Sequence, residues 1–504
     1  MPTHYLALDI GSTTVVAIVI DLDTNSVVGA ASAANSSEVT SAADKRVSRS
    51  EWNLNAMTEL AIDNAAALVA RTNAQPAAIG VTGQQQGLQL LDAALDTVGP
   101  YFSWQDQRAQ ERLPGQQHTY LDVMAQRGGA TGTEREMPAF ANTGCPLVAG
   151  HAAPHLFWLQ ANNQLPSGVS GTAAPEFVVS RLVGKRPVVD PTDALGWGVY
   201  DVAKRAWADE LIAALGLDQS LFPDLAESCT MAGPLTAAMA QKLGVPAGLP
   251  VAVASGDHQC SFAGTVADYA NTVAVNVGTG GQAALHIEAP LPRGSLELRP
   301  YIQRGYLLAG VGAVGGRTFR TLRDFFADAI YALADVQPSA ELRSKPDGEA
   351  LYARLVALAA DVPAGAEGVR ADPLFSGSRR RPRAKAAFRE LTAATLTAGH
   401  LTRALLEGMA VELADSYREA ILLGGGARSK LVGAGNGIKL NPVLRAALEA
   451  EFAMPLHVGP HGEEAAVGAA LCAAVADGAF GSIDEASAAF TSRGRFANRP
   501  LPAH

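Results

Sequence analysis

Two short segments, one in each half of the chain, constrain its fold more than any other feature: Asp9-Ile10-Gly11-Ser12-Thr13-Thr14 and Asn276-Val277-Gly278-Thr279-Gly280-Gly281. Each begins with a polar residue that ends an apolar, β-branched run, residues 5–8 and 272–275, and each leads into a second apolar run. The pattern predicts strand, tight turn, strand. Glycine permits turn dihedrals and close backbone approach, and Ser or Thr adds hydroxyls, so such a turn offers several donors to phosphate oxygens. Either segment alone also reads as an ordinary β-hairpin. Occurring once per half, they imply a duplication and a cleft with one turn on each wall.

A chain of 504 residues exceeds one hydrophobic core, and its 48% hydrophobic content suffices to fill two, each of about 250 residues. With 50 glycines and only 17% charged residues, the composition suits a compact α/β enzyme. A formal net charge of -10 argues against a broad nucleic-acid surface, which needs clustered Lys and Arg. The basic cluster Arg379-Arg380-Arg381, with Arg383 and Lys385, reads as a solvated loop or as local phosphate contacts. Cys145, Cys229, Cys260 and Cys472 lack CxxC spacing, which indicates neither a zinc site nor a disulfide framework and fits a reducing cytoplasm. No secretion signal opens the sequence, and no apolar run reaches the roughly 20 residues of a membrane helix. A cytoplasmic protein without membrane or nucleic-acid partners is the expectation; oligomeric state is left open, a homodimer included.

Along the chain, residues 5–10, 15–20 and 27–31 read as an antiparallel meander, 55–71 as a helix and 77–82 as a strand ending at Gly83-Gln84-Gln85-Gln86-Gly87. Residues 109–224 look helical and looped. The pattern resets at Gly248-Leu249-Pro250, with strand 251–254, the turn Ser255-Gly256-Asp257-His258-Gln259 and a helix from Cys260. This sets the expected boundary, with one lobe at 1–248 and a second at 249–504. A hairpin (272–277, 282–287), a strand (306–310) and a helix after Gly315-Gly316 follow. Of two later glycine clusters, Gly433-Ala434-Gly435-Asn436-Gly437 is favoured as a nucleobase turn because a strand enters it and Asn441-Pro442 opens a helix after it. The cluster Gly424-Gly425-Gly426 reads as a helix terminator. Two meanders, each followed by helices, resemble a duplicated ribonuclease-H-like, actin-type architecture, two α/β lobes around a nucleotide and sugar cleft.

Phosphoryl transfer from ATP needs phosphate donors, a divalent metal, a base near the attacking hydroxyl and exclusion of water. Asp9, at a strand end, is suited to hold magnesium directly or through water, or else to accept bonds from its own turn. Asp257, placed at the corresponding first-strand exit of the second lobe, is suited to be the base; it also reads as a helix N-cap. Gln84, Gln85, Gln86, Trp104, Asp106 and Arg108 compose a polyol site, with Arg108 alternatively a structural partner of Asp106. His258, beside the base, reads as a structural histidine.

These elements resemble the FGGY carbohydrate kinases over nearly the whole chain. The resemblance rests on Asp9 to Thr14, the Gly83-Gln84-x-x-Gly87 turn, Trp104-Gln105-Asp106-x-Arg108, Thr143-Gly144-Cys145-Pro146 with Pro154, Gly256-Asp257-x-Gln259, Gly278-Thr279, Gly433 to Asn441 and Glu464-Ala465-Ala466-x-Gly468. Within the family, Asp190-Pro191-Thr192-Asp193, Pro300-Tyr301 and Gly399 to Leu405 are most similar to sedoheptulokinases, with xylulokinases the near alternative. The resemblance implies ATP-dependent phosphorylation of a ketose's terminal primary hydroxyl, a seven-carbon ketose first, with Asp257 as base and Asp9 near Mg2+. It implies ATP contacts from Gly11, Ser12, Thr13, Thr14, Gly278, Thr279, Gly280, Gly315, Gly435, Asn436 and Asn441. Sugar contacts are implied for Gln84, Gln85, Gln86, Trp104, Asp106, Asp257 and Gln259. Three departures bear on it. Gln85 and Gln86 replace the Met-His of the related Gly-Gln-Met-His-Gly turn, Gly280 replaces a serine, and Gly377-Ser378-Arg379-Arg380 stands where Gly-Glu-Arg is usual. A non-catalytic actin-like regulator and an impaired kinase kept for sugar sensing are the competing classes; retention of both Asp9 and Asp257 speaks against the second.

Overall fold

The computed structural model describes residues 3–129, 138–312, 314–334, 345–375, 377, 381, 383–459 and 461–493. The first lobe opens with β1 (His4–Ile10), β2 (Thr14–Asp21) and β3 (Ser26–Ala34), the expected meander. Helix α1 (Leu54–Thr72) follows, started by the Asn53 side chain accepting from the Ala56 amide and ended by Asn73 in the left-handed conformation. Its buried residues Met57, Ala61, Ile62, Ala65, Leu68 and Val69 recur at helical spacing. Then come β4 (Pro76–Gly83), a largely helical and looped insertion that includes α2 (Ala174–Val183), and the strands β5 (Met231–Pro234), β6 (Pro250–Ala252) and β7 (Ser255–Gly256). These make one seven-stranded sheet in the order β5-β6-β4-β1-β2-β3, with β7 also paired to β4.

Helix α3 (Asp257–Ala263) leaves that sheet, and the second lobe begins with β8 (Thr272–Val277), β9 (Gly281–Ile287), β10 (Glu297–Pro300) and β11 (Tyr306–Val311). It continues through α4 (Gly316–Ala334), α5 (Ala398–Ala420), β12 (Lys430–Ala434), α6 (Pro442–Phe452), β13 (Leu456–Val458) and α7 (Glu464–Ala476). Its sheet has the order β10-β11-β9-β8-β12-β13. The duplication is therefore visible strand by strand. In each lobe a central strand (β1, β8) pairs antiparallel with its hairpin partner (β2, β9) and parallel with a later strand (β4, β12).

Sheet membership changes one expectation. Strands β6 and β7, which the sequence reading assigns to the second lobe, pair in parallel with β4 of the first. The changeover thus falls between Gly256 and Thr272 instead of at residues 248/249, and Asp257 leaves the last strands of lobe one. The reset at Gly248 marks the return from the insertion to a sheet already begun.

Strand alternation decides which face each side chain meets. Leu6, Leu8 and Ile10 pack with α1 and α2 on one face. Tyr5 and Ala7 face the other way, into a core shared with Cys260 and Ala263 of α3, Ala469 and Ala473 of α7, and Ala284, Leu307 and Ala309 of the second sheet. Helices α3 and α7 are therefore layered between the two sheets. They touch at backbone distance: a Cβ on Gly468 would lie 1.9 Å from the Cys260 carbonyl oxygen, and one on Gly264 would lie 2.1 Å from that of Glu464.

Candidate active site

Asp9 shares the strand face of Tyr5 and Ala7, the face covered by α3 and α7, so it points toward the start of both helices. Asp257 is the first residue of α3 and Glu463 caps α7. All three line one cavity of about 220 Å³, joined by His258, Ser261, Asn276, Gln282, Gly435 and Glu464. A half-buried ring of carboxylates results. Burial, reinforced by the charges of Asp257 and Glu463, pushes the Asp9 carboxyl up to about 8. Burial raises Asp257 to about 6 against the opposing pull of Arg299, and raises Glu463 with help from Glu464.

Such crowding fits a cation. Among the described residues no three acids, histidines or cysteines are grouped to cage a metal. Mg2+ asks for less, since it keeps waters and is held by one or two carboxylates together with substrate phosphates. Asp9, with Glu463 beside it, would hold it here.

The two glycine-hydroxyl turns lie as follows. Gly278, Thr279 and Gly280 are exposed. Their turn docks on the start of α4, the Gly316 and Arg317 amides donating to the Gly278 and Thr279 carbonyls at 2.8 and 3.0 Å. Gly315 is required there, because a Cβ would lie 2.3 Å from the Gly280 carbonyl carbon; Gly280 itself has open space. In the other turn Ser12, Thr13 and Thr14 retain partial or full exposure, and Gly11 permits a close approach to the Thr14 carbonyl. Gly435, with φ 82°, crosses directly over Asn276 and Val277, and Asn436 beside it is exposed. Asn441 is different. It is buried, its Oδ1 accepts from the Leu444 amide and its Nδ2 donates to Tyr352, so it caps α6 and its amide is spent on the protein.

The sugar side is sorted less kindly. Asp106 is fully buried, and its carboxylate accepts from Ser50 N and from Arg108 N, Nε and Nη2. The structural reading of that pair holds, and Asp106 as a sugar contact is corrected. Gln85 donates to Thr192 O and Gln259 Oε1 and accepts from Arg299, while Gln259 donates to Pro300 O. Both are consumed by the protein. Gln84 is buried with neither amide atom partnered. Gln86, with φ 71°, and Trp104 remain half-exposed. A non-glycine residue in the left-handed region marks a strained turn of the kind found at ligand sites.

Three groups of residues have a place at the site that the sequence alone did not assign them. Ser261 and Gln282 reach the cavity from within a helix and a hairpin. Asp190 accepts from Thr192 N and Oγ1, Ser228 Oγ and Ser255 Oγ, and Thr192 Oγ1 accepts from the Gly256 amide at 2.7 Å. That buried buckle fixes the strand exit just before Asp257. Arg299 of β10 is the third, crossing from the second lobe to Gln85 and His258. Asp257 itself sits in the first turn of α3 with Gly256 as the cap, so the N-cap alternative is not observed. Ser378, Arg379 and Arg380 lie outside the described residues; Arg381 of that cluster pairs with Asp372 and Glu412. No helix among the described residues is long and apolar enough to cross a membrane.

Residues 4–264 match the N-terminal domain of the FGGY family of carbohydrate kinases and residues 273–476 its C-terminal domain, a division that coincides with the change of sheet. Mouse sedoheptulokinase is 27% identical over 335 residues, covering 64% of this chain and 67% of the relative. An autoinducer-2 kinase of Yersinia pestis (strain Pestoides F) is 28% identical over 348 residues, 67% of this chain and 63% of the relative. The matches thus span about two-thirds of these curated relatives. The solved structure of xylulose kinase from Rhodospirillum rubrum superposes with a TM-score of 0.78 at 26% identity, covering 96% of this chain and 92% of that one.

Proposed function

Because this chain belongs to the FGGY family of carbohydrate kinases, we propose that it is an ATP-dependent kinase for the terminal primary hydroxyl of a ketose, with Asp257 as general base. The single observation that carries the site assignment is the convergence of Asp9, Asp257 and the Gly435 turn on one cleft between two duplicated lobes. The ketose hydroxyl attacks the terminal phosphorus of ATP. A new O–P bond forms, the bond to the β,γ-bridging oxygen breaks, the hydroxyl proton passes to Asp257, and ADP leaves. Bound Mg2+ supplies charge neutralisation of the phosphates. Ser12 and Thr13 on one wall and Gly278 to Gly280 on the other offer donors to them, and approach of the lobes excludes water.

A seven-carbon ketose is the first substrate, supported by the likeness to mouse sedoheptulokinase. A pentulose is the second reading, supported by the likeness to the Rhodospirillum xylulose kinase along nearly the whole chain. Gln86 stands where related kinases carry histidine, so its amide replaces an imidazole among the sugar contacts. The test is ADP release with sedoheptulose, xylulose, ribulose, fructose, erythritol and glycerol. Sedoheptulose should give the highest kcat/KM. A preference for xylulose moves the assignment to the second reading, and release that no sugar stimulates would overturn the kinase function.

A further inference from the structure

His258, at the start of α3, is oriented from the opposite lobe. Arg299 lies on β10, buried, with Nε donating to Glu297 Oε2 at 2.6 Å and Nη2 at 2.6 Å from the same oxygen. Nη1 spends its two hydrogens in the other direction, 2.8 Å to Gln85 Oε1 and 3.1 Å to His258 Nδ1. A guanidinium has donors only. Nδ1 must therefore be the acceptor, and the neutral ring carries its hydrogen on Nε2. The ring that carries it lines the cavity with Asp9, Asp257, Ser261, Asn276, Gln282 and Gly435. Gln86 and Trp104 are absent from this lining.

The cavity lining thus combines the carboxylates of Asp9, Asp257, Glu463 and Glu464 with the neutral polar groups of His258, Ser261, Asn276 and Gln282. We propose that His258 is a catalytic residue, a permanently neutral donor whose Nε2–H bonds a non-bridging oxygen of the phosphoryl group in transfer, and that Arg299 is its positioning residue. This rests on reading the cleft as the transfer site. Burial and the adjoining Arg299 charge also hold the imidazole well below its usual range. A proton on Nδ1 would face the guanidinium hydrogens, so the ring takes no proton from the sugar and Asp257 stays the only base.

Two measurements test it. In 15N-histidine spectra of the full chain, His258, identified among ten histidines by the signals lost in His258→Gln, should be the Nε2–H tautomer at neutral pH. Arg299→Met should release it to a tautomer mixture. In turnover, His258→Leu should lose about 100-fold in kcat, the scale of one donor to developing charge, with both KM values nearly unchanged. His258→Gln, which restores an N–H, should recover most of the loss; a merely structural histidine would not be rescued in kcat alone. An Nδ1–H or doubly protonated ring, or a His258→Leu enzyme with wild-type kcat, overturns the proposal. Asp257→Asn is measured in parallel: normal turnover there would fault the reading of the cleft, whereas the tautomer reports on the Arg299–His258 pair independently.

Discussion

The base role proposed for Asp257 requires it ionised, and its surroundings place that ionisation at about 6. Burial raises the value, while Arg299 and a hydrogen bond from the His258 backbone lower it. Protonation below that point removes the acceptor, so kcat/KM for the sugar should fall about tenfold per pH unit on the acid side. A pH–rate profile with no acid limb between about pH 5 and 7 would exclude Asp257 from the proton transfer. At this scale the sequence was informative for residues that end strands. Asp9 and the Gly435 turn are legible because a polar or glycine residue closing an apolar run lies at a sheet edge whatever the tertiary detail. Gln85, Asp106, Gln259 and Asn441 carry the same local signature, yet the protein bonds them to itself. Nothing in a linear pattern separates a polar group awaiting ligand from one already paired.

Contacts at the turns separate two glycines of the second lobe. Gly280 has no atom within contact of a built Cβ, so the missing serine is no steric necessity. Gly280→Ser should fold normally and bind ATP at least as tightly, with a KM equal to or below wild type; a raised KM would show that the turn needs glycine. Gly315→Ala is the opposite case, since its Cβ would strike the Gly280 backbone. Its KM for ATP should rise by about tenfold or more, the cost of displacing a phosphate turn by a fraction of an ångström.

A second element-level feature is the buried carboxyl pair of Glu176 in α2 and Asp193, whose oxygens have no donor. Burial raises both, Glu176 to about 7, so the pair retains a proton that the unfolded chain gives up. The sign follows from linkage. Stability from this pair is complete below the unfolded carboxyl range and is lost as pH rises through the folded value. Glu176→Gln needs no shared proton, and its amide can donate to Asp193. Its Tm should decline less than wild type between about pH 5 and 8; parallel declines would remove the shared proton from the account.

For the whole molecule, duplication of fold has produced division of labour. The Gly83-Gln84 turn at the end of β4 and the Gly435-Asn436 turn at the end of β12 occupy matching sheet positions, and only the second lines the cavity that holds Asp9 and Asp257. Likewise the N-terminal ends of α3 and α7 bring Asp257 and Glu463 to one cavity. The sequence showed that two lobes exist but placed Asp257 on the wrong one. Short strands such as β6 and β7 declare their sheet only through pairing after a long insertion. The crossing of α3 and α7 carries the geometry of both acids. Gly468→Ala should therefore cost about 1–3 kcal/mol through overpacking and lower kcat with it. Unchanged Tm and kcat would mean that the crossing tolerates a shift the structure forbids.

The central claim is that sugar phosphorylation occurs in this interlobe cleft with Asp257 as base, and Asp257→Asn tests it most directly. Sugar-stimulated ADP release should fall about 1,000-fold while calorimetric ATP binding stays within a few-fold of wild type. Sugar-dependent turnover near the wild-type rate in that variant would contradict the account.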